Sequence, residues 1–128
     1  MSTSVKQMVE AADAVVPRIT PADAQQLISG DDALVLDLRD APEVARDGKV
    51  AGALNISRGM LEFRADPASA SHEPQLRKDR PVIVYCASGG RSALGGKALK
   101  ELGFEQVYNL GGFKAWVEAG GEVDQPTG

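Results

Sequence analysis

The sequence predicts one α/β domain with a mostly parallel central sheet and helices on both of its faces. Short apolar runs bounded by turn residues, at residues 33–38 and 81–85, are typical of strands that are buried on both faces. Segments with helical spacing alternate with these runs, and this order favours a parallel sheet. The length of 128 residues suits a single domain with one core.

The first elements are two helices and a strand. Val and Met residues recur at helical spacing over residues 5–16, which predicts an amphipathic helix. Thr20 and Pro21 predict the N-cap and the first position of a second helix, which we expect to stop at Gly30. The apolar run at residues 33–38 then predicts the first buried strand.

The middle of the chain is predicted to carry short elements. Residues 42–46 predict a short helix, residues 52–56 a short strand and residues 58–63 a helical turn. Residues 65–74 predict a loop. Residues 81–85 (PVIVY) are rich in β-branched residues and predict the strongest strand of the chain.

The last third of the chain continues the alternation of helix and strand. A helix is predicted over residues 92–102, with Gly103 as its left-handed stop, and a strand over residues 106–110. A final helix is predicted to begin at residues 111–112 and to end at residues 120–121.

Three regions are expected along the chain: an N-terminal helical extension at residues 1–16, a domain at residues 17–123 and a loose tail at residues 124–128. The extension could cover its own sheet, or its Val/Met face could stay exposed and form a homodimer. The sequence leaves both arrangements open.

Composition and charge narrow the classes of function. The net charge is −4, from 14 Lys and Arg residues against 18 Asp and Glu residues, which disfavours nucleic acid and anionic membranes as partners. No apolar run is long enough to span a membrane, and the N-terminus lacks the uninterrupted apolar stretch of a secretory signal. One Cys and one His cannot form a disulfide or a zinc site, so we expect a cytoplasmic protein with a free thiol and no metal or cofactor.

Cys86 is the strongest candidate for a catalytic residue. It follows the predicted central strand, and ligands bind at the carboxyl ends of strands in open parallel sheets. Arg91 follows at the start of a predicted helix, whose N-terminus adds unpaired N–H groups and partial positive charge. The residues between them are Ala87, Ser88, Gly89 and Gly90. The two glycines let successive N–H groups point inward, which predicts an anion-binding loop around a sulfur atom.

The same loop predicts a reactive thiolate at Cys86. The pKa of a free cysteine thiol is about 8.5, and a helix N-terminus and a nearby Arg lower this pKa. A thiolate needs no separate base, and the one histidine, His72, lies in a predicted loop with no evident relation to Cys86. We therefore expect direct attack by Cys86 instead of a Cys–His pair.

Four segments resemble a rhodanese-family single-domain sulfurtransferase. They are VLDLRDAPEVARDGKVAGALNIS at residues 35–57, VIVYCASGGRSA at residues 82–93, ALGGKALKELGF at residues 93–104 and VYNLGGFKAW at residues 107–116. In that order they resemble the family's Asp-x-Arg signature with its Gly-Ala-x-Asn-Ile segment, its active-site loop, the helix after this loop and the closing Gly-Gly-x-x-x-Trp segment. The resemblance covers residues 18 to about 121 and implies the rhodanese-like three-layer fold.

The resemblance implies sulfur transfer by a two-step covalent mechanism. Cys86 would take the outer sulfur of thiosulfate or of a persulfide donor, and N–H groups of residues 87–91 would hold the resulting persulfide. A thiol, cyanide or an acceptor protein would then remove the sulfur. Arg91 is expected to bind the anionic group of the donor. Arg58 follows a short strand that ends near the site, and we expect it to shape the entrance.

Other positions of the resemblance are expected to hold the structure. Asp37 and Arg39 fall in this group, and Arg39 is predicted to form an ion pair with Glu43 across a turn. The chain also departs from the family's pattern. Its loop has one basic residue instead of two, which predicts modest use of thiosulfate. The segment at residues 59–74 is longer than a minimal member needs, and it could set acceptor choice.

Three other functions are compatible with these residues. Related phosphatases of this fold use a Cys-x5-Arg loop, whereas residues 86–91 form the shorter Cys-x4-Arg loop that favours sulfur over phosphorus. A non-catalytic binding module commonly lacks the cysteine, which this chain retains. A persulfide carrier would pass sulfur between proteins without efficient thiosulfate turnover, and the sequence leaves this alternative open.

Overall fold

The computed structural model describes residues 2–126 and has the α/β fold that the sequence predicts. Its strands are β1 (Leu34–Asp37), β2 (Lys49–Val50), β3 (Leu54–Asn55), β4 (Val82–Cys86), β5 (Val107–Gly112) and β6 (Val123–Asp124). Its helices are α1 (Val5–Asp13), α2 (Pro21–Asp31), α3 (Ala41–Asp47), α4 (Leu61–Ala65), α5 (Gly90–Glu101) and α6 (Phe113–Glu118), and a 3₁₀ turn, Arg58–Met60, leads into α4. None of the helices within residues 2–126 has the length and apolar character to cross a membrane.

Four parallel strands form the central sheet in the order β3-β1-β4-β5. The inner strands β1 and β4 are buried along their whole length, which agrees with their continuous apolar sequences. Parallel pairing brings the carboxyl ends of the strands to one edge of the sheet, where Cys86 is in register with Gly112. Residues that follow these strands are therefore gathered at that edge.

Two apolar clusters cover the two faces of the sheet, because alternate strand residues point to opposite faces. One cluster contains Leu34 and Leu36 of β1 together with Leu99 of α5. The other contains Val35 of β1 together with Trp116 of α6. The resulting layers of helix, sheet and helix confirm the predicted fold class.

The N-terminal helix α1 packs against α5. Ala12 is fully buried, and Val16, just after the helix, belongs to the apolar cluster that includes α5. Val5 and Met8 are 68% and 48% exposed. The helix thus covers part of its own domain and also leaves apolar side chains at the surface, so the homodimer stays a prediction.

The start of α2 agrees with the sequence and its end does not. Oγ1 of Thr20 accepts a hydrogen bond of 3.1 Å from the N–H of Asp23, and Pro21 occupies the first turn. The predicted stop at Gly30 is wrong, because the helix continues to Asp31 and is capped by Asp32, which adopts the left-handed conformation with φ 54°. Asp tolerates this conformation better than most residues, since its short polar side chain can form local hydrogen bonds.

The C-terminal part differs from the sequence prediction in two ways. Residues 111–112 end β5 and do not begin the final helix, which starts at Phe113. The region predicted as a loose tail begins in an ordered strand, since β6 pairs with β2 and Oδ2 of Asp124 accepts a hydrogen bond of 2.9 Å from the N–H of Gly52. Such long-range pairing leaves no local signal in the sequence. Residues 127–128 of that tail lie outside the described residues.

Candidate functional site

Cys86 is the last residue of β4, where the loop to α5 begins. Its side chain is fully buried, whereas Ala87 and Ser88, which follow it, are exposed. Gly89 adopts φ 101°, a conformation that glycine enters far more readily than other residues, and it turns the chain back toward the sulfur. The loop therefore curls around Sγ and runs directly into the first turn of α5.

Backbone N–H groups of this loop point at the sulfur. The N–H of Gly89 donates to Sγ of Cys86 over 3.1 Å, and the N–H of Ser92 donates over 3.4 Å. Ser92 lies in the first turn of α5, where N–H groups have no partner within the helix. The arrangement can stabilise negative charge at this position, on a thiolate or on a persulfide.

The pKa of the Cys86 thiol results from two opposing effects. Burial raises this pKa, while the hydroxyl of Ser92 and the N–H groups of Ser92, Gly89 and Ser88 lower it, and the net pKa lies below the ordinary value for cysteine. A lower pKa increases the thiolate fraction at neutral pH. Within residues 2–126, the hydrogen-bond partners of Sγ of Cys86 are Gly89 and Ser92, and His72 is not among them.

A buried polar network lies beside the sulfur. Oγ of Ser92 is 3.4 Å from Sγ of Cys86. It is also 2.8 Å from Oδ1 of Asn109 and 3.1 Å from the carbonyl oxygen of Gly89. The N–H of Gly111 donates to Oδ1 of Asn109 over 2.9 Å, which orients this amide. A serine hydroxyl carries one proton, and a thiolate is the strongest of these acceptors, so ionisation of Cys86 draws the proton of Ser92 toward the sulfur.

Sequence reasoning missed Ser92 and Asn109 as parts of the site. Ser92 lies directly after the predicted loop, and the first turn of a helix was the local signal that could have indicated it. Asn109 is 17 residues away from Ser92, and their contact depends on the pairing of β4 with β5. Its one signal is a polar residue within the apolar strand sequence VYNL.

Arg91 is bound by Glu43 of α3. Nη1 of Arg91 donates to Oε1 over 2.7 Å, and Nη2 donates to Oε2 over 3.0 Å. These hydrogen bonds are the main reason that the pKa of Arg91 is raised and that of Glu43 is lowered to about 2. The predicted ion pair between Arg39 and Glu43 is therefore wrong. Glu43 reaches α5 because α3 and α5 both begin at the edge of the sheet that carries the loop.

Asp37 and Arg39 form a buried ion pair. Nη2 of Arg39 donates to Oδ2 of Asp37 over 2.7 Å and to the carbonyl oxygen of Gly48 over 2.7 Å. The hydroxyl of Tyr85 donates to the same Oδ2 over 2.6 Å and accepts a hydrogen bond of 2.9 Å from the N–H of Val50. Each of these buried polar groups has a hydrogen-bond partner among the others. The network therefore connects β1, β2 and β4 next to the loop.

Arg58 lies apart from the contacts around the sulfur. Its guanidinium donates to Glu62 over 2.9 Å and 3.3 Å, and its side chain lines a groove beside Met8 of α1. Within the segment at residues 59–74, the helix α4 packs onto α5, and its residue Leu61 is fully buried. Among the described residues, no hydrogen bond joins Arg58 to the loop.

A cleft of about 310 Å³ opens beside Ala87, between α3 and α6. Phe113 and Val117 give it an apolar wall. Its charged lining is mixed, because Arg46 pairs with Asp47 over 2.9 Å and Lys114 lies in the same cleft as Glu43. Within residues 2–126, no group of three or more His, Cys, Asp or Glu side chains is arranged to hold a metal ion. A ligand that reaches the loop through this cleft meets a surface that is partly apolar and carries charges of both signs.

Comparison with known proteins agrees with this geometry. The family model described as the rhodanese-like domain matches residues 20–119. A sulfurtransferase from Allochromatium vinosum is 32% identical over 106 residues, which cover 82% of this chain and 91% of that protein. The thiosulfate sulfurtransferase GlpE from Coxiella burnetii is 32% identical over 100 residues, which cover 77% of this chain and 85% of that protein.

Solved structures share the fold. A protein of unknown function from Rhodopseudomonas palustris, described as a possible tyrosine phosphatase, is 38% identical with a TM-score of 0.88 and covers 97% of this chain and 96% of its own. The polysulfide-sulfur transferase homodimer from Wolinella succinogenes is 34% identical with a TM-score of 0.71, covering 93% and 85%. The family match and these relatives lead to one conclusion: the chain belongs to the rhodanese-like domain family.

Proposed function

We propose that this protein is a sulfurtransferase that carries a sulfane sulfur as a persulfide on Cys86. The observation that carries the proposal is the buried Sγ atom, which accepts hydrogen bonds from the N–H groups of Gly89 and Ser92 over 3.1 Å and 3.4 Å. Its lowered pKa favours the nucleophilic thiolate. The relatives named thiosulfate sulfurtransferase and polysulfide-sulfur transferase support the same chemistry.

In the first step, the Cys86 thiolate attacks the outer sulfur of thiosulfate, and the S–S bond of the donor breaks. The electron pair of that bond leaves with sulfite, while the outer sulfur stays on Cys86. Charge is conserved, because a thiolate and the thiosulfate dianion become a persulfide anion and the sulfite dianion. The N–H groups of Gly89 and Ser92, which point at Sγ, stabilise the negative charge of the persulfide. A related persulfide donor reacts in the same way, with a thiolate as the leaving group.

In the second step, an acceptor attacks the terminal sulfur of the persulfide. The S–S bond breaks, and its electron pair returns to Sγ of Cys86 as the thiolate. Cyanide becomes thiocyanate, and a thiolate becomes a persulfide on a small molecule or on an acceptor protein. Donor and acceptor react in turn with the same sulfur atom, so ping-pong kinetics are expected.

Intact-mass spectrometry tests the proposal. Wild-type protein incubated with thiosulfate should gain one sulfur, about 32 Da, and should lose it on addition of cyanide or a thiol reductant. The Cys86→Ser variant, which removes only the nucleophilic sulfur, should gain nothing. Folded wild-type protein that forms no adduct with thiosulfate or with polysulfide would contradict the proposal.

Two additional assays separate the alternative functions. A persulfide carrier would form the adduct but would turn thiosulfate and cyanide over slowly, and would transfer its sulfur to a protein acceptor. A phosphatase, the activity suggested for the Rhodopseudomonas palustris protein, would hydrolyse p-nitrophenyl phosphate in a reaction that depends on Cys86. Such hydrolysis without any sulfur adduct would replace the sulfurtransferase assignment.

A further inference from the structure

A second guanidinium, that of Arg18, lies against the loop that holds Cys86. Arg18 belongs to the segment between α1 and α2 and forms a parallel bridge with Asn109 of β5. Two hydrogen bonds hold the bridge. The N–H of Ile19 donates to the carbonyl oxygen of Asn109 over 3.1 Å, and the N–H of Asn109 donates to the carbonyl oxygen of Pro17 over 2.9 Å. The backbone of Arg18 is therefore fixed beside the last strand of the sheet.

Two glycines make room for the side chain of Arg18. A Cβ atom at Gly89 would lie 2.8 Å and 2.9 Å from Nη1 and Nη2 of Arg18. A Cβ atom at Gly111 would lie 2.6 Å from Nη1. Both glycines have positive φ, 101° and 92°. The guanidinium thus rests on the backbone of Gly89, the residue whose N–H donates to the sulfur.

The positive charge of Arg18 is available to a ligand, in contrast to that of Arg91. Both terminal nitrogens of Arg91 are bound by Glu43. Within residues 2–126, Nη1 and Nη2 of Arg18 form no hydrogen bond, and the ion pair of its Nε with Asp13 is a loose one at 3.7 Å. The side chain of Arg18 is 49% exposed, so an anion from solvent can reach it.

We propose that Arg18 binds the anionic group of the sulfur donor and makes the site prefer anionic over neutral reactants. This inference rests on the proposed function of Cys86 and adds the residue that recognises the donor. The planar fork of a guanidinium matches two oxygen atoms of a sulfonate group. When the S–S bond of thiosulfate breaks, negative charge moves onto the departing sulfite, and Arg18 stabilises that charge. Arg18 thereby supplies the second basic group that the loop itself lacks.

Two kinds of reactant test this inference on Arg18→Gln, which removes the charge, and on Arg18→Lys, which keeps it. The first is thiosulfate, with the second-order rate of persulfide loading as the measured quantity. The second is a matched pair of alkylating agents, anionic iodoacetate and neutral iodoacetamide, which react with the same thiolate. Asp13→Asn serves as the control, because it removes the partner of Arg18 and leaves the guanidinium in place.

For Arg18→Gln we expect thiosulfate loading to fall roughly tenfold or more, as for the loss of a hydrogen bond to a charged group. The rate ratio of iodoacetate to iodoacetamide should fall as well, because both agents react with the same thiolate and only iodoacetate carries a negative charge. Arg18→Lys, which keeps the charge, should retain most of the wild-type loading rate and most of the wild-type rate ratio. Asp13→Asn should load at least as fast as wild type.

Equal thiosulfate loading in Arg18→Gln and wild type would overturn the inference. So would a parallel fall in the iodoacetate and iodoacetamide rates, which would mean that Arg18 only supports the loop. Thiosulfate that loads no variant, wild type included, would count against the function proposed for Cys86 instead. The alkylation ratio would then still decide whether Arg18 binds anions next to the sulfur.

Discussion

Glu43 holds Arg91 by two hydrogen bonds, 2.7 Å from Nη1 to Oε1 and 3.0 Å from Nη2 to Oε2. The pair joins α3 to the first turn of α5 and neutralises the charge of the residue that the sequence indicates as the anion ligand. An anionic donor must therefore compete with Glu43 for Arg91 or bind elsewhere on the loop.

The Glu43–Arg91 pair predicts a pH-dependent contribution to stability. The pKa of Glu43 in the folded protein is about 2, below its ordinary value of 4.5. A depressed pKa means that the pair stabilises the fold fully above about pH 4.5 and that this contribution is lost as the pH falls toward 2. We expect Glu43→Gln to lower the free energy of unfolding at pH 7 by about 1 kcal/mol or less, since both side chains are partly exposed.

Urea unfolding of wild type and Glu43→Gln at pH 7 and pH 3 measures this difference. The gap between the two proteins should be smaller at pH 3. Glu105→Gln, at an exposed position without an ion pair in residues 2–126, is the control and should show no gap at either pH. A gap for Glu43→Gln that widens toward low pH would contradict the assignment.

The hydroxyl of Ser92 should set the reactivity of Cys86. Ser92→Ala removes the hydroxyl that lies 3.4 Å from Sγ and that lowers the pKa of the thiol, so this pKa should rise. As this pKa rises, the thiolate fraction at neutral pH falls, and we expect alkylation by iodoacetamide to be roughly tenfold slower. A rate profile from pH 5 to pH 10 should show the midpoint moving to higher pH. Ser88→Ala is the matched control, because Ser88 contributes its backbone N–H and keeps it.

Tyr85 should contribute to stability through its hydroxyl. Tyr85→Phe removes the acceptor of the Val50 N–H and the 2.6 Å hydrogen bond to Asp37 in a fully buried place. We expect a loss of about 1–3 kcal/mol in the free energy of unfolding, because the N–H of Val50 is left without a partner. Tyr108→Phe is the control, since the Tyr108 hydroxyl forms no hydrogen bond in the described part of the chain. Equal urea midpoints for both variants would show that the buried hydroxyl is dispensable.

Gly112 should be needed for the shape of the loop that follows Cys86. Its φ of −103° suits any residue, but a Cβ atom there would lie 2.6 Å from the carbonyl oxygen of Ala87. Gly112→Ala should push the loop away from Sγ and slow persulfide loading roughly tenfold or more. Gly30→Ala provides the opposite case, because its Cβ atom meets nothing within 4 Å in the helix α2. That variant should gain about 0.5–1 kcal/mol of stability and load at the wild-type rate.

Local patterns predicted most of the fold. The cap formed by Thr20, the buried strand before Cys86 and the left-handed stop at Gly103 each depend on a few neighbouring residues. The short strands β2 and β6 were not predicted, because neither two-residue segment has a periodicity of its own. They form only because the chain brings Lys49 and Asp124 opposite each other.

The candidate site likewise has one part that local sequence predicts and another part that depends on the tertiary structure. The loop from Cys86 to Arg91 is continuous in sequence, so its glycines, its helix start and its four-residue spacing could be interpreted directly. The partners of this loop come from other elements: Glu43 from α3 and Asn109 from β5. Their identity depends on sheet order and register, which sequence patterns do not specify.

By itself, the sequence determined the alternation of helices and strands, the family resemblance and the placement of Cys86 at a strand end before a helix. Helical and strand periodicity, capping and glycine turns act over a few residues, so they can be recognised in the chain. Only the tertiary structure decided that Arg91 is bound by Glu43 while Arg18 lies against Gly89 with its terminal nitrogens free within residues 2–126. The physical reason is that charge pairing depends on distances across the sheet, between residues that are far apart in the chain.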